Sequence, residues 1–200
     1  MTDNFIVLAS SSPRRAEILT TLGIPFIVDV SSVDETPREG ETAQDTAARL
    51  AEEKALEVSL RHREHWALGA DTLVILDGAA LGKPRDDEDA RRMLRLLSGR
   101  EHRVVTGVAL AREGRSPQKI IEKSHVRMAP LTPDEIRWYV ATGEPMDKAG
   151  AYAVQGLGSR FIEGIRGSYT NVMGLPARGV YRLMREAGDP ALALLALSCS

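Results

Sequence analysis

The chain has 200 residues, 43% of them hydrophobic and 27% charged, with a formal net charge of −2. That balance suits a soluble globular protein and excludes a general electrostatic attraction to nucleic acid or to acidic membranes, so any anion site must be a local cluster of bases. The single cysteine, Cys199, excludes a disulfide within the chain, which fits a reducing cytoplasm.

The first element is an apolar strand at 5–9, "FIVLA", with no basic region before it, so no signal peptide is expected. "SSSPRRAEIL" follows at 10–19. Ser12 suits an N-cap and Pro13 the first helical position, Ile18, Leu19 and Leu22 recur at helical spacing, and Gly23 ends a helix over 13–22. This places Arg14 and Arg15 in the first turn, where the helix dipole disfavours cations. Other helix starts obey the rule: "ETAQD" at 41–45, "DDEDA" at 86–90 and "TPDEI" at 132–136 all open with acids. Two readings follow. Either an anion from outside sits on the free N–H groups, the serine hydroxyls and the arginines, or the arginines are solvated on a surface turn.

A strand at 25–30 leads into a loop rich in Ser, Asp, Glu and Pro, which carries Asp34 and Glu35 and runs to about 41. A helix over 42–60 has an apolar stripe of Ala47, Leu50, Ala51, Ala55 and Val58, with Lys54 on the same stripe. That lysine either snorkels to solvent or points its ammonium into a polar site. Strands at 67–76 and 79–82 are joined by Asp77-Gly78, a tight-hairpin signal. Asp71 and Thr72 interrupt the first of them. A carboxylate inside a strand either pairs with a lysine or caps a turn, or it serves a divalent cation or a water nucleophile. Lys83 precedes Pro84, which stiffens its loop.

A helix over 86–98 stops at Gly99, and strands at 102–112 and 118–128 form a second hairpin around "EGRSP". A helix over 132–141 leads to a Gly-rich segment, 143–175, expected to hold short strands and carrying Glu144, Asp147, Lys148 and Asn171, the last either a local cap or a ligand contact. The final helix covers 176–187. "ALALLALS" beyond it is too short to span a bilayer and reads as a packed or frayed tail. With no repeat or linker, 1–200 reads as one α/β domain with a mixed central sheet flanked by helices. His62 and His65 lack partner cysteines, which argues against zinc. The common nucleotide motifs and the GxSxG elbow are absent, and few aromatics are available to stack bases.

"SSSPRR" at 10–15, "GADT" at 69–72, "GKP" at 82–84, "TG" at 106–107, "DKAGAYAVQGLG" at 147–158 and "GSYTNVMGLP" at 167–176 together resemble the Maf family of nucleotide pyrophosphatases. The resemblance runs from Leu8 to about Leu183 and leaves the tail at 188–200 outside. It implies an inosine-triphosphate-pyrophosphatase-like fold with a cleft between two lobes. It also implies a cytoplasmic homodimer that cleaves a nucleoside triphosphate between its α and β phosphates with Mg2+ or Mn2+, binding neither nucleic acid nor membrane. Carried onto this sequence, Asp71 looks like the general base. Ser10, Arg14, Glu35, Lys54 and Lys83 look like the phosphate and metal machinery, with Glu35 and Asp71 as metal ligands. Arg14, Thr72 and Gln155 look like specificity positions, with Arg15 and Lys148 as further substrate contacts. The "DKAGAY…QG" segment resembles the branch acting on dTTP and UTP, with modified pyrimidine nucleotides as further candidates. The 7-methyl-GTP branch and a nucleotide-binding regulator of septum formation are the competing readings.

Overall fold

The computed structural model describes residues 5–197, so Cys199 lies outside the described residues. The chain order begins β1 (Ile6–Leu8), α1 (Pro13–Thr21), β2 (Phe26–Val28), α2 (Ala43–Arg61), β3 (Trp66–Leu76), β4 (Ala79–Leu81) and α3 (Asp87–Leu97). It continues through β5 (Glu101–Ala111), β6 (Gln118–Met128), α4 (Pro133–Ala141), β7 (Ile162–Arg166), α5 (Tyr169–Met173), α6 (Ala177–Glu186) and α7 (Pro190–Leu195). These strands form one mixed sheet in the order β2-β1-β3-β5-β6-β7, with β4 also pairing β3. β1 is parallel to both β2 and β3, and the other pairings are antiparallel.

Local chemistry sets these boundaries. Asp77 and Gly78 both adopt positive φ, as a two-residue hairpin turn requires, and Leu76 pairs with Ala79. Capping boxes of Thr42 with Asp45 and Thr132 with Glu135 open α2 and α4, and Asp86 caps α3. The segment 143–175 departs from expectation. It holds one strand, β7, the short helix α5 and three 3-10 turns at Glu144–Asp147, Ala149–Ala151 and Leu157–Phe161. The tail is packed. Asp189 caps α7 and accepts hydrogen bonds from Trp66 Nε1 and Arg112, while Leu192 and Leu195 join the main core. Among the described residues no helix is long and apolar enough to cross a membrane.

Two features of β3 position the site. First, β1 pairs with it only as far as Leu68 and β4 only from Val74. Residues 69–73 therefore have β5 on one side and no strand on the other. Second, the two faces differ. On one, α2 lies unusually close: a Cβ built at Gly69 would stand 2.1 Å from the Ala51 carbonyl oxygen, and one at Gly107 would stand 2.3 Å from that of Ala47. On the other, large side chains such as Leu68, Leu110, Leu175 and Met184 make the main core.

Candidate active site

Strand alternation sends Asp71 to the α2 face and Thr72 to the opposite face. Both still reach one cavity, because it occupies the gap in the β3 edge. This cavity, about 720 Å³, is lined by the serine loop, the start of α1, Glu35, Lys54, Asp71, Thr72, Lys83, Lys148 and Gly174. It sits just past the C-terminal ends of the parallel strands β1 and β2, where ligands collect in α/β sheets.

On the α2 side, Lys54 is 5% exposed and points inward. Its Nζ donates to Asp71 Oδ1 at 2.8 Å and lies 2.7 Å from Glu35 Oε1. The close approach of α2 at Gly69 and Gly107 makes this reach possible, since Lys54 stands between Ala51 and Ala55. Partial burial alone would raise the Glu35 pKa. The hydrogen bond and charge of Lys54, with the charges of Lys83 and Arg15, outweigh it and hold the carboxyl below its ordinary value. Asp34, by contrast, accepts from the Thr36 amide and hydroxyl and is a turn residue.

On the opposite side, Ser12 occupies the N-cap of α1 but its side chain makes no capping hydrogen bond, and no acid stands in the first turn. The Ser12 amide donates to Ser10 Oγ instead, at 3.2 Å. Arg15 turns back into the cavity, donating to Ser10 Oγ at 2.9 Å, the Gly174 carbonyl at 2.9 Å and Thr72 Oγ1 at 3.3 Å. Burial lowers the Arg15 pKa and the nearby Asp71 charge opposes that shift. Arg14 faces Asp147 at 3.8 Å. The two cations at the helix start are thus part of the cavity wall, and neither is a free surface arginine.

Thr72 continues into a buried polar chain. Its hydroxyl lies 3.0 Å from that of Thr106, and the Thr106 hydroxyl donates to the Asn171 carbonyl at 3.2 Å. Thr106 has one hydrogen and directs it at that carbonyl, so the Thr72 hydrogen is taken up within the protein, by Thr106 Oγ1 or by the Gly174 carbonyl at 3.4 Å. Thr72 therefore meets a ligand as an acceptor. Asn171 lies inside α5, which Ser168 caps, so it is not a cap. Its amide donates to the Val104 carbonyl and to Ser124, fixing α5 against β5 and β6.

The other expected residues divide. Lys83 lines the cavity, and its loop is tied to the 147–152 segment by the Gly150 amide donating to the Gly82 carbonyl at 3.0 Å. Lys148 also lines the cavity, with its ammonium bonded to the Glu144 carbonyl and to Asp147. Gln155 is not brought in: it is exposed, donates to Glu17 at 3.0 Å, and is not among the lining residues. Sequence reasoning missed Thr106, the Gly174 carbonyl and the packing role of Gly69 and Gly107. The motifs "GADT" and "TG" contained three of these four, but their reason is the distance to α2 and α5, which no local pattern carries.

The donor set suits a hard divalent cation. Glu35 and Asp71 each place one carboxylate oxygen on Lys54 Nζ and are hard oxygen donors, of which Mg2+ takes one or two before completing its shell with phosphate oxygens and water. Among the described residues no group of three or more His, Cys, Asp or Glu side chains could hold a metal ion.

The Maf-like protein family model matches residues 5–187. A dTTP/UTP pyrophosphatase of Myxococcus xanthus (strain DK1622) is 49% identical over 185 residues, 92% of this chain and 93% of that protein. A dTTP/UTP pyrophosphatase of Anaeromyxobacter sp. (strain Fw109-5) is 50% identical over 189 residues, 92% of this chain and 90% of that protein. A solved HAM1 protein from Coxiella burnetii is 18% identical, covers 96% of each chain and has a TM-score of 0.46.

Proposed function

This chain belongs to the Maf family of nucleoside triphosphate pyrophosphatases, and from that premise we propose that it hydrolyses dTTP and UTP to the monophosphate and pyrophosphate. The observation that carries the reading is the convergence on one cavity of Lys54, bonded to Asp71 and Glu35, with Arg15, bonded to Ser10 and Thr72.

Arg14, Arg15, Lys83 and Lys148 supply the charge that holds a triphosphate, with the uncapped amides at the start of α1. Lys54 engages Asp71 Oδ1, which leaves Oδ2 to take the proton of a water attacking the α phosphorus. The new P–O bond forms as the bond to the β-phosphate oxygen breaks, and the bases at the cavity wall stabilise the departing pyrophosphate. Glu35 and Asp71 would hold a divalent cation, which would supply charge neutralisation and a lowered pKa for water. Thr72, an acceptor, complements the N3–H of thymine or uracil and offers nothing to the unprotonated N3 of cytosine. The homodimeric state and cytoplasmic location implied by the family resemblance belong to the same proposal.

The experiment is pyrophosphate release from dTTP, UTP, CTP and 7-methyl-GTP with Mg2+ or Mn2+, in the wild type and in Asp71→Asn. dTTP and UTP are expected to lead, and Asp71→Asn to lower turnover at least ~100-fold. Preference for 7-methyl-GTP overturns the substrate reading. Full activity in Asp71→Asn overturns the assignment of the base.

A further inference from the structure

Glu35 contributes one of the two carboxylates on Lys54, yet it sits in the irregular loop 29–42 with its side chain 62% exposed. A single contact to an exposed side chain holds a long loop poorly against its entropy. The loop is held elsewhere. Arg49, on α2 and with a side chain only 12% exposed, donates through Nε to Glu41 Oε1 at 2.5 Å and through Nη2 to Glu41 Oε2 at 2.8 Å. The same Nη2 reaches the Thr36 carbonyl at 3.2 Å, and Nη1 reaches Glu53 at 3.0 Å. Glu53 also accepts from Arg38, and Glu41 from the Arg38 amide. The bidentate fork thus ties the residue next to Glu35, the loop's end and the helix into one unit. Hydrogen bonds from Arg49 and from the Arg38 amide hold the Glu41 pKa down to about 2, so the clamp keeps its charge across the working range of an enzyme.

We propose that Arg49 is a positioning residue: its guanidinium fixes the 34–41 loop on α2 and thereby sets the Glu35 carboxylate against Lys54. Arg49 and Lys54 share a helix, so the clamp and the lysine move together and the Glu35–Lys54 distance is set by a rigid element. Lysine at this position keeps the charge but loses the fork.

The inference rests on the hydrolysis proposed above, and two arms separate their failures. In the first, kcat and KM for UTP are measured for Arg49→Gln, Arg49→Lys, Glu35→Gln and the double variant Arg49→Gln/Glu35→Gln. Arg49→Gln is expected to lower kcat about 10-fold or more with KM changed less than about twofold, and Arg49→Lys to restore part of it. In the Glu35→Gln background the same change is expected to add less than about twofold, because the residue it acts through is gone. Losses that multiply, or an undiminished Glu35→Gln enzyme, overturn the inference. In the second arm, amide exchange at Arg38 and Glu41 is expected to speed in Arg49→Gln while β3 amides keep their protection. Unaltered loop exchange, or equal loosening of β3, overturns it whether or not UTP is a substrate. A wild type that leaves UTP intact overturns the substrate reading alone.

Discussion

The two faces of β3 solve different problems. On the α2 face, Ala47, Ala51, Ala55, Gly69 and Gly107 leave little apolar surface to bury, but they let helix and sheet backbones touch. On the opposite face, Leu68, Val108 and Leu110 pack with Leu175, Leu183 and Met184 in the larger core. Burial scales with apolar area, so most of the hydrophobic stabilisation lies on that second face. The first face gives up area for distance, and the distance is what puts Lys54 on Asp71. The difference teaches that a small-residue helix face in this fold is a positioning device for a charged group.

Truncation on the large-residue face is the most severe way to test that division. Leu110 is fully buried, and Leu110→Ala is expected to cost about 2–5 kcal/mol in chemical denaturation, with kcat of the folded fraction close to wild type. A kcat that fell with stability would show that the two faces are not separable. Gly69→Ala is the counterpart, adding one methyl on the α2 face. The new Cβ would meet backbone atoms of Ala51 and Ala55, which no rotamer change relieves, so α2 must shift and draw Lys54 off Asp71. The expected stability cost is smaller, about 1–3 kcal/mol, but turnover should fall at least about 10-fold. Wild-type turnover with a crystallographically displaced α2 would break the link between helix distance and chemistry.

Local features were legible in the sequence. The Asp77-Gly78 turn, the acid-led starts of α2, α3 and α4, and the inward row of Lys54 all follow from spacing within one element. So does the anomaly at Arg14 and Arg15. The direction of Lys54 was open because it depends on what stands opposite, and Asp71 lies on another element. α5 and α7 are too short for helical periodicity to register. The cavity itself was illegible for a non-local reason: it exists because β1 ends at Leu8, opposite Leu68, while β4 reaches β3 only as far as Val74, and α1, β2, α2 and β3 separate β1 from β4 in the chain. Gln155 failed to join the cavity because Glu17, far from it in the chain, takes its amide.

A pH-dependent effect tests the packing of the large-residue face, where His102 is a polar residue 2% exposed. Its Nε2 lies 2.7 Å from Tyr152 Oη, while its buried Nδ1 has no hydrogen-bond partner. Burial pushes the His102 pKa down from 6.5 to about 4, against a weaker opposing pull from Glu101. The folded state therefore keeps the ring neutral where the unfolded chain binds a proton. The unfolded state carries more protons between pH 6.5 and pH 4, so stability from this group is complete above 6.5 and is lost as pH falls through that window. The expected loss is about 2 kcal/mol between pH 7 and pH 5. Carboxylates held below their ordinary pKa values lose stability in acid as well, so the measurement is the difference between wild type and His102→Gln in denaturant titrations at both pH values. Gln removes the titration and keeps a donor for Tyr152, and the wild type should lose the larger amount. Equal losses would mean that the ring accepts its proton without penalty, and that this face admits water where its packing says it should not.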